Sequence, residues 1–320
     1  MLAFVYDGKR ARVARDRAEP AERAGHVRVR TLRAGICRTD LELSRGYMGF
    51  DGVLGHEFVG RAAEGRFEGR RVVGGINFAC RDCPACRRGL GRHCSNRAVL
   101  GIDGADGAMA EEFIIPEANL IEVPDTLSDE QAVFAEPVAA ACEIFEQLPE
   151  LAATETSRAM PALVVGDGKL GPLVAQVLAA EGLEVELLGH HTDSLGWLED
   201  HGVRLSAKVP SRAFYPLVVE ASGSTEGLSS AIAWTEPRGT LVVKTTVAGS
   251  HQIDLAPVVI NEITMVGSRC GNMKDGLERL TRGQVSTERL IDARYPLANG
   301  DRAFERAAWP GTRKVIIEVA

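Results

Sequence analysis

Four cysteines crowd into one short stretch: Cys80, Cys83, Cys86 and Cys94, spaced C-x-x-C-x-x-C with seven residues before the fourth. Four thiolates this close in sequence can wrap one ion tetrahedrally, as structural zinc requires. The chain has seven cysteines in all, an odd number. Metal binding in a reducing compartment explains that usage better than a disulfide framework. Four thiolates overcompensate one Zn²⁺, and Arg81, Arg87, Arg88, Arg92 and Arg97 stand in or beside the loop to offset the excess. A zinc ribbon that binds nucleic acid is the rival reading. It lacks interleaved aromatics, and the chain carries a net charge of −7.

A second constellation is dispersed. Cys37 lies in Gly35-Ile36-Cys37-Arg38-Thr39-Asp40, His56 and Glu57 lie in Gly55-His56-Glu57-Phe58-Val59-Gly60, and Glu136 precedes Pro137. Such glycine-bounded polar turns more often carry function than packing. A thiolate, a neutral imidazole and one carboxylate balance Zn²⁺ and leave a fourth position for water or substrate.

The third signal is Gly166-Asp167-Gly168-Lys169-Leu170-Gly171, a G-x-G-x-x-G. It follows the apolar run Ala162–Val165 and opens a helix at Pro172. That context turns a weak pattern into a dinucleotide-binding loop, with pyrophosphate on the helix N-terminus. Asp167 beside a pyrophosphate is unfavourable unless it points away, and Lys169 can offset it. The second strand of such a fold usually ends in an acid for the ribose 2′-hydroxyl. Here it ends Leu188-Gly189-His190-His191. The missing acid predicts NADP in preference to NAD, with His190 and His191 either contacting the extra phosphate or forming a solvated loop.

The elements needed to position these groups are also readable. Period-two alternation in His26–Leu32 and the run Arg70–Val73 predict strands with one wet face in a β-rich first third. Val138, Ala141, Phe145 and Leu148 recur at helical spacing. Strands are then expected at 162–165, 185–188, 216–219, 240–243 and 263–266, with a helix over 172–180. Strands spaced by helices in this way indicate a parallel sheet covered on both faces, an α/β fold. A short helix around Leu277 and Leu280 and a strand over 314–319 close the chain. The 320 residues, 45% hydrophobic and 25% charged, exclude disorder and coiled coil. No apolar run reaches the ~18 residues of a membrane span. Charge arrives too early at the N-terminus for a signal-peptide core, so the expected compartment is the cytoplasm.

Taken together, these motifs resemble the medium-chain zinc-dependent alcohol and polyol dehydrogenases, over nearly the whole chain. Val219-Glu220-Ala221-Ser222-Gly223 and the closing Lys314-Val315-Ile316-Ile317-Glu318 add to the likeness. The resemblance implies a GroES-like catalytic domain from residues 1–137 and 271–320, carrying the zinc loop 80–94. A Rossmann domain over 138–270 would be inserted in it. It implies catalytic zinc on Cys37 and His56. Glu136-Pro137 looks like the polyol and glucose dehydrogenase branch, where a glutamate replaces a cysteine ligand, and Glu57 is an exchangeable ligand there. Thr39 matches the hydroxyl that touches the substrate oxygen, and Asp40 the carboxylate that orients the histidine. Glu42 takes the place of a histidine at the outer end of a proton relay. Gly166, Gly168, Lys169, Leu170, Gly171, Gly189, His190, His191, Ser222 and Gly223 are the implied cofactor contacts. Tyr47, Met48 and Phe50 either line the substrate site or belong to the core. The implied activity is hydride transfer between an alcohol, polyol or sugar hydroxyl and NAD(P), in a homodimer or homotetramer without nucleic-acid or membrane partners. A zinc-free quinone reductase-like enzyme of the same fold and a zinc-ribbon regulator are the alternatives.

Overall fold

The computed structural model describes residues 1–151, 159–246 and 252–320. The chain divides into two units, Met1–Glu136 with Thr287–Ala320, and Pro137–Ser286. The first unit begins with β1 (Ala3–Tyr6), β2 (Ala11–Ala14), β3 (His26–Gly35), α1 (Arg38–Leu43), β4 (Gly52–Val53), β5 (Glu57–Ala62) and β6 (Arg71–Gly74). It continues through β7 (Asn77–Phe78), α2 (Pro84–Arg87), β8 (Ala98–Leu100), β9 (Gly104–Ala105), β10 (Glu112–Pro116), β11 (Leu120–Glu122) and α3 (Asp129–Val133). Helix α4 (Ala135–Gln147) carries the chain across the boundary.

The second unit holds β12 (Pro161–Val165), α5 (Gly171–Ala180), β13 (Glu184–Leu188), β14 (Val203–Ser206), β15 (Tyr215–Glu220), α6 (Thr225–Trp234), β16 (Thr235–Val243), α7 (Ala256–Ile260), β17 (Thr264–Gly267) and α8 (Met273–Thr281). The chain then returns to the first unit with β18 (Ile291–Pro296), α9 (Gly300–Ala307) and β19 (Lys314–Glu318).

Sheet register in the first unit brings the dispersed site together. The long strand β3 pairs β5 on one side. On the other, its first half pairs β10 and its end pairs β19. Gly35 at the end of β3 stands opposite Glu57 and opposite Ile316. Cys37 leaves β3 just beyond that point and His56 enters β5 just before it. A floor of Phe4, Ile36, Leu41, Leu43, Phe50, Leu54, Met109, Val315 and Ile317 packs beneath them. Phe50 is thus core, Tyr47 packs against the same cluster, and Met48 is exposed.

The second unit is a parallel sheet in the order β14-β13-β12-β15-β16-β17. Its central strands β12 and β15 are almost uniformly apolar and buried, as strands covered on both faces require. Strand order reverses between β12 and β15, and ligands of open α/β sheets bind beyond the carboxyl ends of strands at such a point. The sequence reading ends this unit at residue 270, whereas the structure keeps 271–286 with it. The reason is packing: Arg279 pairs with Glu181, and Gln176 exchanges two hydrogen bonds with Ser286 (2.7 and 3.1 Å).

Candidate active site and metal centres

Helix α1 starts immediately after Cys37, and Asp40 closes its first turn. The Cys37 N–H donates to Asp40 Oδ2 (2.7 Å) and the Gly55 N–H to Oδ1 (3.2 Å). Asp40 thereby fastens the turn that carries the cysteine to the turn that carries His56. Its Oδ1 also lies 3.4 Å from His56 Nδ1, a charge contact short of a hydrogen bond, and Nε2 is left for Cys37 or a metal. Burial disfavours charge on His56, but Asp40 and Cys37 outweigh it and hold the ring well above its ordinary pKa range. A metal taken up there displaces a proton.

Ligand atoms of Cys37, His56 and Glu57 all lie within 4.8 Å of one another. A Cβ on Gly35 would stand 2.4 Å from Glu57 Oε2, so a glycine at that register position makes room for the carboxylate. Glu57 is held by a buried ion pair with Lys314, at the start of β19. Lys314 Nζ also lies 5.3 Å from the ring centre of Phe134. Glu136 sits half-buried in the first turn of α4, outside this group. Thr39 Oγ1 is 3.8 Å from Cys37 Sγ. The buried Glu42 carboxylate accepts hydrogen bonds from Arg38 Nε (2.9 Å) and Arg45 Nη1 (2.8 Å).

The second cluster is the four-cysteine loop. Cys80–Cys86, Cys83–Cys86, Cys83–Cys94 and Cys80–Cys94 have their sulfurs 3.4 to 4.0 Å apart, all four sulfurs lie within 4.8 Å of one another, and none is in a disulfide. Tetrahedral zinc with bonds of about 2.3 Å requires sulfurs about 3.8 Å apart. The N–H groups of Cys80 and Asn96 point at Cys94 Sγ, and that of Cys83 at Cys80 Sγ, at 3.3 to 3.4 Å. Donors of this kind favour thiolates. The Cys83 thiol falls to about 6, chiefly through the Cys86 N–H, while burial and a hydrogen bond shared with Cys83 push Cys86 to about 12. The arginines of the loop have several kinds of partner. Arg87 pairs with Asp82, Arg81 reaches Asn119, and Arg97 donates to the Cys94 carbonyl.

In the second unit the glycine loop, the turn after β13 and the turn after β15 meet at the switch point. A Cβ on Gly166 would lie 2.6 Å from Ser222 Cα. The Gly166 N–H donates to Leu188 O (2.8 Å), and Gly223 N–H to Thr245 Oγ1 (2.9 Å). Leu170 is the N-cap of α5, and Lys169 is half-buried beside it. Gly168 is informative because a Cβ there would meet nothing within 4 Å and its φ is not left-handed. Nothing among the described residues demands a glycine at 168, whereas the close approach of a pyrophosphate to the loop would. Buried Glu220, to which the sequence assigns no role of its own, ends β15 and accepts from Ser222 N–H and Oγ, with its Oε2 unpartnered among the described residues.

The alcohol dehydrogenase GroES-like domain family matches residues 23–125. Glucose 1-dehydrogenase from Methanocella arvoryzae is 32% identical over 250 residues, covering 70% of this chain and 69% of that one. The chain belongs to the medium-chain zinc-type alcohol and polyol dehydrogenases. A further relative, 2-dehydro-3-deoxy-L-galactonate 5-dehydrogenase from Pseudoalteromonas atlantica, is 26% identical and covers 95% of this chain and 94% of its own. Among solved structures, alcohol dehydrogenase TADH from Thermus sp. ATN1 superposes with a TM-score of 0.88 at 26% identity, over 100% of both chains. This dehydrogenase is therefore an NAD(P)-linked oxidoreductase acting on hydroxyl groups, and its fold joins a GroES-like unit to a Rossmann unit. No helix among the described residues is long and apolar enough to cross a membrane.

Proposed function

We propose that the protein oxidises a secondary hydroxyl of a polyol or sugar acid, using catalytic zinc held by Cys37, His56 and a glutamate. The observation that carries this is the convergence of Cys37, His56 and Glu57 within 4.8 Å, with Asp40 fastened behind the histidine. The donor set suits zinc, which bound there would polarise the substrate hydroxyl and lower its pKa, while the nicotinamide accepts the hydride. The names of the relatives, among them a D-altritol 5-dehydrogenase from Agrobacterium fabrum and the galactonate enzyme above, support this substrate class.

Charge favours Glu136 as the glutamate. Lys314 already neutralises Glu57, so a thiolate plus Glu57 would leave a cationic site, and a second carboxylate restores neutrality. Glu57 then stands beside the metal as the exchangeable ligand. Thr39 Oγ receives the hydroxyl proton and releases it toward solvent. Glu42, engaged by Arg38 and Arg45, braces α1 and is a positioning residue. Cys80, Cys83, Cys86 and Cys94 hold the structural zinc. Gly166 to Gly171, Gly189 to His191, Ser222 and Gly223 line the nicotinamide dinucleotide. The choice between NADP, which the bare glycine at 189 suggests, and NAD turns on the charge at the end of β13. We expect the subunits to pair as homo-oligomers in the cytoplasm.

A panel of alcohols, polyols and sugar acids, followed by reduced-nicotinamide absorbance, tests the reading. Turnover of a polyol or sugar acid that stops on chelation and returns with zinc supports it. Turnover indifferent to metal removal contradicts it and favours the zinc-free alternative.

A further inference from the structure

Gly189 follows β13 directly, where a dinucleotide fold usually presents the acid of the ribose site. The structure shows why no larger residue stands there. A Cβ built on Gly189 would lie 2.1 Å from Asp167 Cγ, 2.3 Å from its Cβ and 2.4 Å from its Oδ2. The carboxyl of Asp167 fills the volume that a side chain at 189 would take. The His191 N–H donates to Asp167 Oδ2 at 2.5 Å, tying the glycine loop to the turn after β13. Asp167 therefore points away from the helix N-terminus, where pyrophosphate belongs, and toward the end of the second strand.

We propose that Asp167 is the ribose-site acid, delivered from the glycine loop instead of from β13, and that it selects NAD over NADP. This rests on the reading that the crevice beyond β12 and β13 holds a nicotinamide dinucleotide. An ionised carboxylate offers about four lone-pair sites. The His191 N–H donates to one of them, and ribose hydroxyls are donors of the same kind. A 2′-phosphate is the opposite kind of group, bringing about −1.5 to −2 charges and acceptor oxygens against an acceptor. The glycine at 189 is room for Asp167 and not a phosphate pocket, which reverses the expectation of NADP. Lys169, half-buried, is the cationic side chain of the glycine loop, and His190 and His191 are exposed on the turn after β13.

The test is direct binding of NADH and NADPH by nicotinamide fluorescence, at pH 8, above the ordinary histidine range, and without any alcohol. The wild-type protein should bind NADH at least about tenfold more tightly than NADPH, and Asp167→Asn should erase most of that ratio. Asparagine keeps an acceptor for the His191 N–H, and a thermal melt verifies that the variant folds. In the wild type, ADP-ribose should displace NADH at lower concentration than its 2′-phosphate does, whatever the fate of the variant. Tighter binding of NADPH, or a ratio unmoved by Asp167→Asn, overturns the assignment alone. Failure of both dinucleotides to bind overturns the cofactor reading and this assignment with it.

Discussion

Residue-scale chemistry here depends on glycines and charged partners placed beside carboxylates. Gly35 admits Glu57, and Lys314 then neutralises it although the pair is 257 positions apart in sequence. Removing one partner of a buried ion pair costs about 3–5 kcal/mol, whereas replacing both is often nearly neutral. Lys314→Met should therefore lower stability by about that amount in urea unfolding, and adding Glu57→Gln should recover most of it. Equal losses in the single and double variants would show that the pair is not what holds β19 to β5. Asp40→Asn should reduce kcat/KM about 10- to 100-fold while the four-cysteine loop keeps its zinc, as expected for a group that orients a ligand. Neither Lys314 nor the reach of Asp167 was legible in the sequence. Each acts on a partner far along the chain, and local spacing carries no trace of it. The signal that Lys314 did offer was a charged residue directly before the apolar run Val315–Ile317.

At the scale of elements, legibility followed the range of the pattern. The second unit read well because its central strands are continuous apolar runs set by burial on both faces, as in Leu163–Val165 and Leu217–Val219. The first unit read poorly. Short strands such as β1, β4 and β18 are fixed by pairing with distant partners, Tyr6 with Gly52 and Tyr295 with Ile317, and not by periodicity. The boundary after residue 270 was misplaced for the same reason, since α8 is held by long-range bonds to α5 and its following turn. The four-cysteine loop is the opposite case, being wholly local. Its little helix α2 is only four residues long, too short to persist alone. Cys83→Ser should remove one of two zinc ions per chain and lower the melting temperature before it changes the KM of residual enzyme. An unchanged melt with two ions still bound would refute the structural role.

For the molecule as a whole, pH dependence offers an independent check on the second unit. Burial alone would raise the pKa of Glu186, but hydrogen bonds from Ser206, Ser211 and Tyr215 outweigh it and lower it. A depressed carboxylate contributes stability that is complete above the unfolded glutamate value of about 4.3 and is lost as pH falls through the lower folded value. Glu186→Gln should thus be less stable than wild type at pH 7, with the gap narrowing below about pH 4. A gap that stayed constant down to pH 3 would contradict the assignment. The central claim is that Cys37 and His56 hold a metal on which hydroxyl oxidation depends. Metal analysis of Cys37→Ala beside wild type, on the same samples assayed for polyol-dependent nicotinamide reduction, tests it most directly. The expected result is two zinc ions in the wild type and one in the variant, with turnover falling to background and the fold retained. A variant that keeps both ions, or turns over at the wild-type rate with one, would contradict it.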